Sequence, residues 1–241
     1  MGTLFIVSTP IGNLKDITFR AIETLQQVDA IACEDTRKTG QLLKLLSDNL
    51  GIDFSNRPRF ISYFEENEFR RIPEIVTALK NGLSIALVCD AGTPTISDPG
   101  FKLVRECVLQ GIQVEAIPGA SSVLSALTVS GLPTDKFHFI GFLPHKEGNR
   151  KRLLLQTSES LKLVKSTVIL FEAPHRLLRT LDELQGVFGD IDIVICRELT
   201  KLHEEIVRGT ISSMINHYSS HSLKGEFVIL FHLPEKNETS K

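Results

Sequence analysis

Three polar loops in the sequence carry residues that could hold a small molecule. Each follows an apolar run and combines glycine or proline with hydroxyl or carboxyl groups: Thr9-Pro-Ile-Gly-Asn13, Asp90-Ala-Gly-Thr-Pro-Thr-Ile-Ser-Asp-Pro-Gly100 and Pro118-Gly-Ala-Ser-Ser122. Glycine lets backbone amides approach a ligand, and serine and threonine hydroxyls add donors and acceptors. Any one of these loops could be a simple tight turn, but three together favour a binding site.

Asp90 is the most informative residue of these loops. An acid at the end of a buried strand can pair with an amino group, and Thr93 and Thr95 offer further partners nearby. The alternative is that Asp90 only orders the turn at Gly92. The sequence contains neither G-x-G-x-x-G nor G-x-x-x-x-G-K-[ST], which argues against a dinucleotide or nucleoside-triphosphate binder.

The elements that must position these loops alternate between strand-like and helix-like patterns, which indicates an α/β fold. Because the carboxyl ends of neighbouring parallel strands share one edge of a sheet, the three loops are expected to meet there. The continuous apolar run 84–89 predicts a central strand, and Asp16 and Asp98 are expected to open helices. The turn-rich segment 131–134 predicts a domain boundary, with a mostly parallel sheet in residues 1–132 and a mixed sheet in 133–241. The tail from Pro234 onward is polar.

Composition limits the classes of protein that fit. The chain has 241 residues, of which 42% are hydrophobic, and its formal charge of −2 does not suit a nonspecific nucleic-acid coat. Its cysteines (Cys33, Cys89, Cys107 and Cys196) have no metal-ligand spacing, which predicts reduced core residues and no metal site. The N-terminus does not resemble a signal peptide, and no segment is long enough to span a membrane. A cytoplasmic protein is expected.

Seven segments together resemble the ribosomal RNA small subunit methyltransferase I family, in the right order along nearly the whole chain. They are residues 9–14, Cys33-Glu-Asp-Thr-Arg37, residues 90–100, Ile117-Pro-Gly-Ala-Ser-Ser122, Gly141-Phe-Leu-Pro144, Phe171-Glu-Ala-Pro-His-Arg176 and Arg197-Glu-Leu-Thr-Lys201. The Gly/Pro loops also suit other tetrapyrrole-methylase-like enzymes, whereas the Glu-Asp-Thr-Arg and Pro-His-Arg segments favour the rRNA branch. Phe171 and Ala173 stand where the family commonly has Tyr and Ser.

The resemblance implies a two-domain tetrapyrrole methylase-like homodimer that binds S-adenosylmethionine in the cleft between its domains. Its reaction would be 2′-O-methylation of a cytidine of 16S rRNA in the 30S subunit. The residues that match family positions near the cofactor are Pro10, Asp90, Thr93, Ile96, Ser121, Phe142 and Ala173. The alternatives are a methyltransferase that acts on a tetrapyrrole and a nucleotide-binding module without chemistry.

Methyl transfer to a ribose hydroxyl needs a positioned acceptor and a base that takes the hydroxyl proton. A carboxylate or neutral imidazole could accept that proton and an arginine could hold a phosphate, which makes candidates of Glu34, Asp35, Arg37, His175 and Arg176. Alternatively, Glu34, Asp35 and Arg37 form surface ion pairs at a helix start, and His175 caps a helix. The sequence does not single out one base.

A basic stretch from Lys146 to Arg152 follows the Gly141-Phe-Leu-Pro144 loop. Lys146, Arg150, Lys151 and Arg152 could neutralise RNA phosphates, with an affinity that falls as salt rises. The alternative for such a run is a solvated helix start.

Overall fold

The computed structural model describes residues 1–54, 58–220 and 223–233, and the chain divides into two compact units, residues 1–121 and 122–241. The polar tail from Pro234 lies outside the described residues. Each unit holds one five-stranded sheet, so the predicted α/β class with a parallel first sheet and a mixed second sheet is confirmed. In the described ranges no helix is long and apolar enough to cross a membrane.

The first unit alternates strands and helices from its beginning to its end. In chain order its elements are β1 (Thr3–Val7), α1 (Phe19–Gln27), β2 (Ala30–Cys33), α2 (Thr36–Leu50), β3 (Arg59–Ser62), α3 (Glu68–Lys80), β4 (Ile85–Val88), α4 (Phe101–Leu109) and β5 (Gln113–Ile117). The strands pair in the order β3-β2-β4-β1-β5, and every pairing is parallel. The apolar run predicted to be central is β4, in the middle of the sheet.

Both faces of the first sheet are covered because alternate strand residues point to opposite sides. Ile85 and Leu87 of β4 pack with α3 and α4, whereas Ala86 and Val88 pack with α1 and α2. This burial on both faces explains why the parallel strands are continuous apolar runs.

Two helices of the first unit begin later than the sequence indicated. Residues Leu14–Asp16 form a short 3₁₀ turn, and α1 begins at Phe19, where the Thr18 hydroxyl accepts a hydrogen bond from the Ala21 amide. The expectation that Asp16 opens this helix was therefore wrong. Asp98 does not cap α4 either, because that helix follows Gly100 without a side-chain cap.

The second unit contains α5 (Ser122–Ser130), β6 (Phe137–Phe142), α6 (Glu147–Leu163), β7 (Thr167–Glu172), α7 (Leu177–Phe188), β8 (Asp192–Arg197), β9 (Glu205–Thr210), α8 (Ile211–Ser219) and β10 (Phe227–Phe231). Its strand order is β6-β7-β10-β8-β9, in which β6 and β7 are parallel and the other pairs are antiparallel. Apolar residues of α6, α7 and α8 pack in one core with those of β7, β8 and β10.

Helix α5 belongs with the second unit and packs beside β10. The guanidinium of Arg208 in β9 holds the end of α5, since it donates to the Val129 and Ser130 carbonyls. Along the sequence, the first compact unit ends at Ser121 and the second begins with α5. The domain boundary after residue 132 stays a prediction based on turn residues.

Candidate functional site

The three Gly/Pro loops meet at one edge of the first sheet, as expected from its parallel strands. Thr9 and Gly92 exchange backbone hydrogen bonds of 2.8 and 3.1 Å. The Thr93 hydroxyl donates to the Ala120 carbonyl at 3.1 Å and accepts from the Ser8 hydroxyl at 3.0 Å. The loops after β1, β4 and β5 are therefore tied to one another through backbone and hydroxyl groups.

Close packing between two of these loops depends on Gly119. A Cβ atom at this position would lie 2.9 Å from Cβ of Ser8, nearer than such atoms approach in real structures. Of the predicted cofactor residues, Pro10, Thr93 and Ser121 adjoin these contacts. Ile96 lies further along the second loop with its side chain 44% exposed.

The loop between β4 and α4 is held in an unusual backbone conformation. Thr95 and Ser97 adopt φ values of 75° and 60°, in the left-handed region that costs non-glycine residues roughly 1–2 kcal/mol each. The end of the loop is fixed by Glu68, a buried residue whose carboxylate accepts hydrogen bonds from the Gly100 amide and the Tyr63 hydroxyl. Such strain persists where surrounding contacts enforce it, and it is concentrated at functional sites.

Beside this edge lies an acidic pocket of about 550 Å³. In the described part of the chain its charged lining consists of Glu34, Asp35, Glu65, Glu66, Asp90 and Asp98, with Arg37 as a cation. Burial raises the pKa of Glu34, and the negative charges of Asp90 and Asp98 raise it further. Burial and the charge of Asp90 likewise raise the pKa of Asp98, which lies beside the Cys89 thiol. A carboxyl with a raised pKa is suited to accept a proton.

The two carboxylate oxygens of Asp90 have different surroundings. Oδ2 accepts a hydrogen bond of 2.5 Å from Nζ of Lys38, whereas Oδ1 is buried and has no hydrogen-bond partner among the residues described. A buried acceptor without a donor is costly, so a ligand donor at Oδ1 would be favourable. Lys38 was not among the residues predicted for the site, although it directly follows the Glu-Asp-Thr-Arg segment.

Asp35 and Arg37 bind each other at the start of α2. The Asp35 carboxylate accepts from the Arg37 amide at 2.9 Å and from its guanidinium Nε and Nη2 at 3.0 and 2.7 Å. These bonds hold the pKa of Asp35 well below its usual range. Both residues remain in the pocket lining, but this geometry agrees with an ion pair at a helix start and leaves Asp35 a poor proton acceptor.

The second-unit candidates lie at the carboxyl ends of β6 and β7. Glu172 is buried and accepts hydrogen bonds from the Ala173 amide at 2.8 Å and the Thr180 hydroxyl at 2.5 Å. Arg176 lies 3.2 Å from the same carboxylate and donates to the Leu143 carbonyl at 2.6 Å. Arg176 thus joins the loops after β6 and β7, and its guanidinium is committed within the protein.

Next to these contacts, His175 is exposed on a 3₁₀ turn, and Ala173 directly follows β7. Phe142 ends β6 and packs its ring 5.4 Å from that of Phe171.

The basic stretch contains one buried residue among exposed ones. The Arg150 side chain is 3% exposed and donates from Nε and Nη2 to the Glu183 carboxylate at 2.7 Å each. Its Nη1 also donates to the Pro144 and His145 carbonyls. As a surface phosphate contact Arg150 is thus a poor candidate, because its donors are occupied inside the unit. Lys146, Lys151 and Arg152 are exposed.

Comparison with known proteins identifies the family. The family model of tetrapyrrole (corrin/porphyrin) methylases matches residues 3–215. The chain is 46% identical to ribosomal RNA small subunit methyltransferase I of Thermotoga maritima, over 95% of this chain and 98% of the relative. It is 48% identical to the protein of the same name from Synechocystis, over 95% and 78% of the two chains.

The fold is shared with more distant structures. A crystal structure of diphthine synthase superposes with a TM-score of 0.71 at 14% identity, covering 96% of this chain and 90% of that one. The family model and the relatives at 46% and 48% identity confirm the predicted family and methyltransferase activity, and S-adenosylmethionine is the methyl donor that this family implies. The chain belongs to the ribosomal RNA small subunit methyltransferase I family, within the tetrapyrrole (corrin/porphyrin) methylases.

Proposed function

We propose that this chain transfers a methyl group from S-adenosylmethionine to the ribose 2′-oxygen of cytidine 1402 of 16S rRNA in the 30S subunit. The substrate class is supported by relatives that carry the rRNA methyltransferase name at 46% and 48% identity. The observation that supports the site is the meeting of three polar loops beside Asp90, whose buried Oδ1 lacks a donor among the described residues.

The residues at this edge fit the cofactor chemically. S-adenosylmethionine, when bound, supplies a methyl carbon on a cationic sulfonium, together with an amino-acid end and an adenosine. Asp90 would accept from the ammonium, and the acidic lining of the pocket suits a cationic ligand. Pro10, Thr93, Ile96 and Ser121 would complete the site from the first unit, while Phe142 and Ala173 are proposed contacts from the second.

Glu34 is the proposed proton acceptor. Transfer to a ribose oxygen requires the loss of the hydroxyl proton as the new bond to carbon forms. Among the candidates, Asp35, Arg37 and Arg176 are committed to ion pairs within the protein. Glu34 lines the same pocket as Asp90 and has a raised pKa. His175 is the alternative base, because it is exposed in a loop of the second unit.

RNA contact is proposed for Lys146, Lys151 and Arg152, with Arg150 positioning the loop that precedes them. Exposed cations on one helix start can neutralise successive phosphates. A homodimer is proposed from the family resemblance, and light scattering at micromolar concentration should give twice the chain mass of 26.8 kDa. An enzyme that acts on ribosomal RNA is expected in the cytoplasm.

The test is transfer of a labelled methyl group to 30S subunits from a strain that lacks the enzyme, followed by mapping of the modified nucleotide. Label on the 2′-oxygen of the stated cytidine is expected. Label on a tetrapyrrole and none on 30S subunits would identify a small-molecule methyltransferase. Cofactor binding without transfer to either substrate would identify a nucleotide-binding module.

A further inference from the structure

The ion pair between Lys38 and Asp90 joins two elements of the first unit that are distant in sequence. Lys38 lies in the first turns of α2, and Asp90 follows β4, 52 residues later. Nζ of Lys38 lies 2.5 Å from Oδ2 of Asp90, with the two side chains 61% and 25% exposed. An exposed pair of this kind contributes little to stability and can exchange partners with a ligand.

The charges around this pair determine which ligand groups can enter. The pocket lining is dominated by carboxylates, so an incoming carboxylate is repelled unless a cation meets it. Arg37 is the cation in the lining, but its guanidinium is bound to Asp35 through Nε and Nη2. The Lys38 ammonium carries three donors and, among the residues described, makes one hydrogen bond, to Oδ2 of Asp90. The ammonium of Lys38 is therefore better placed than Arg37 to receive a ligand carboxylate.

Asp90 offers an acceptor for a ligand cation, beside the donor that Lys38 offers to a ligand carboxylate. Its Oδ1 is buried without a donor in the described ranges, next to the Oδ2 that faces Lys38. A group that carries an ammonium and a carboxylate on the same carbon could pair with both residues, and this group would add no net charge. Because each charge of the ligand would then have a partner, its desolvation would be compensated.

We propose that Lys38 and Asp90 together recognise the zwitterionic amino-acid end of the methyl donor, with Lys38 on its carboxylate and Asp90 on its ammonium. This inference rests on the proposed cofactor site and adds a specificity-determining residue to it. It requires Lys38 to discriminate ligands that carry the carboxylate from ligands that lack it.

The test is calorimetric titration of the full chain with S-adenosylmethionine and with decarboxylated S-adenosylmethionine, which lacks only the carboxylate. Lys38→Met is expected to raise the Kd for S-adenosylmethionine about tenfold, the size of one charge-assisted contact, and to leave the Kd for the decarboxylated ligand unchanged. Lys38→Arg should retain most of the affinity. Lys44→Met is the control, because Lys44 is exposed on the same helix and away from Asp90.

Two results would overturn the inference while leaving the proposed function intact. One is equal binding of S-adenosylmethionine by Lys38→Met and the parent protein. The other is an equal loss of affinity for both ligands, which would make Lys38 a support for Asp90 alone. If the parent protein binds neither ligand, the proposed function fails as well. Thermal unfolding of each variant shows that it is folded.

Discussion

Arg150 and Glu183 form a two-point ion pair inside the second unit, with both N–O distances at 2.7 Å across 33 residues of sequence. The pair connects α6 to α7. The remaining guanidinium group, Nη1, donates to the carbonyls of Pro144 and His145 and so fixes the loop before α6. Arg150, although it belongs to the basic stretch, is therefore a buried residue that holds this stretch in place.

Replacing Arg150 by alanine should destabilise the protein. The substitution removes the Arg150 donors from two carbonyls and from the Glu183 carboxylate, which keeps a contact of 3.1 Å with Nε of Arg179. Breaking a buried pair by removing one partner costs roughly 3 kcal/mol. The free energy of unfolding in urea gives the measurement. Arg152→Ala, an exposed change on the same helix, should alter it by less than about 0.5 kcal/mol. Equal stabilities of the two variants would contradict the buried role.

Removal of the exposed cations should weaken RNA binding without affecting the cofactor. The double change Lys151→Ala and Arg152→Ala is expected to lower 30S methylation and to reduce the slope of log affinity against log salt by about 1 to 2, because up to two phosphate contacts are lost. Calorimetry should show an unchanged Kd for S-adenosylmethionine.

The matched control for that experiment removes the same charge at the far end of α6 and just beyond it, through Lys162→Ala and Lys165→Ala. It should leave the salt slope as it is in the parent protein. Equal effects of the two double variants would indicate a general charge effect and not a local contact.

Glu34→Gln should slow methyl transfer while cofactor binding is retained. Loss of a positioned general base typically lowers the rate by about 10²- to 10⁴-fold. Single-turnover methylation of 30S subunits measures the chemical step, and calorimetry measures the Kd. Glu23→Gln, exposed on α1, is the control. A large loss with His175→Ala and none with Glu34→Gln would assign the proton to the histidine.

Asp98→Asn should change the dependence of stability on pH. A carboxyl whose pKa is raised by folding binds its proton more readily in the folded state, so its contribution to stability falls as pH rises from the unfolded pKa through the folded one. The variant should therefore gain stability relative to the parent as the pH rises from about 3.9, the usual pKa of an unfolded Asp, through the raised pKa of folded Asp98.

Urea denaturation of both proteins across this pH interval tests the expectation for Asp98. Removing its charge also lowers the pKa of Glu34, which changes the curve in the same direction. A constant difference between variant and parent at every pH would show that Asp98 does not titrate abnormally.

Gly119→Ala should separate the loops after β1 and β5. The added Cβ would lie 2.9 Å from Cβ of Ser8, and overpacking of this kind costs about 1–3 kcal/mol. We expect a lower melting temperature and a weaker Kd for S-adenosylmethionine. Gly186→Ala is the control, because its Cβ meets no atom within 4 Å in α7 and alanine favours helix by up to about 1 kcal/mol.

The sequence was sufficient to predict the strands because their signal is local. The segments that form β4 and β10 are apolar over their whole length, because a strand that is buried on both faces needs apolar side chains on both. Helix starts were predicted less well, since Asp16 and Asp98 have the right chemistry for a cap. The preceding turn places Thr18 at the start of α1, and Asp98 lies beside the Cys89 thiol instead.

The parts of the site that were not predicted from the sequence depend on ion pairs between residues that are distant in sequence. The three loops could be assembled from sequence because neighbouring parallel strands share an edge. The partners of Lys38 and Arg150 lie 52 and 33 residues away, and no local pattern marks such distances. Arg150 was therefore predicted to be exposed because it belongs to a run of charged residues. Lys38 was not predicted as a site residue.

The position of β10 affects how the protein can assemble during translation. Among the residues described this strand is the last in sequence, yet it lies between β7 and β8 and forms antiparallel ladders with both. Until residues 227–231 leave the ribosome, β6-β7 and β8-β9 exist only as separate two-stranded pieces, which are marginal in water. The first sheet needs only residues up to Ile117. Its unit can therefore fold co-translationally, whereas the second must wait for its final strand, with exposed edges open to aggregation in the interval.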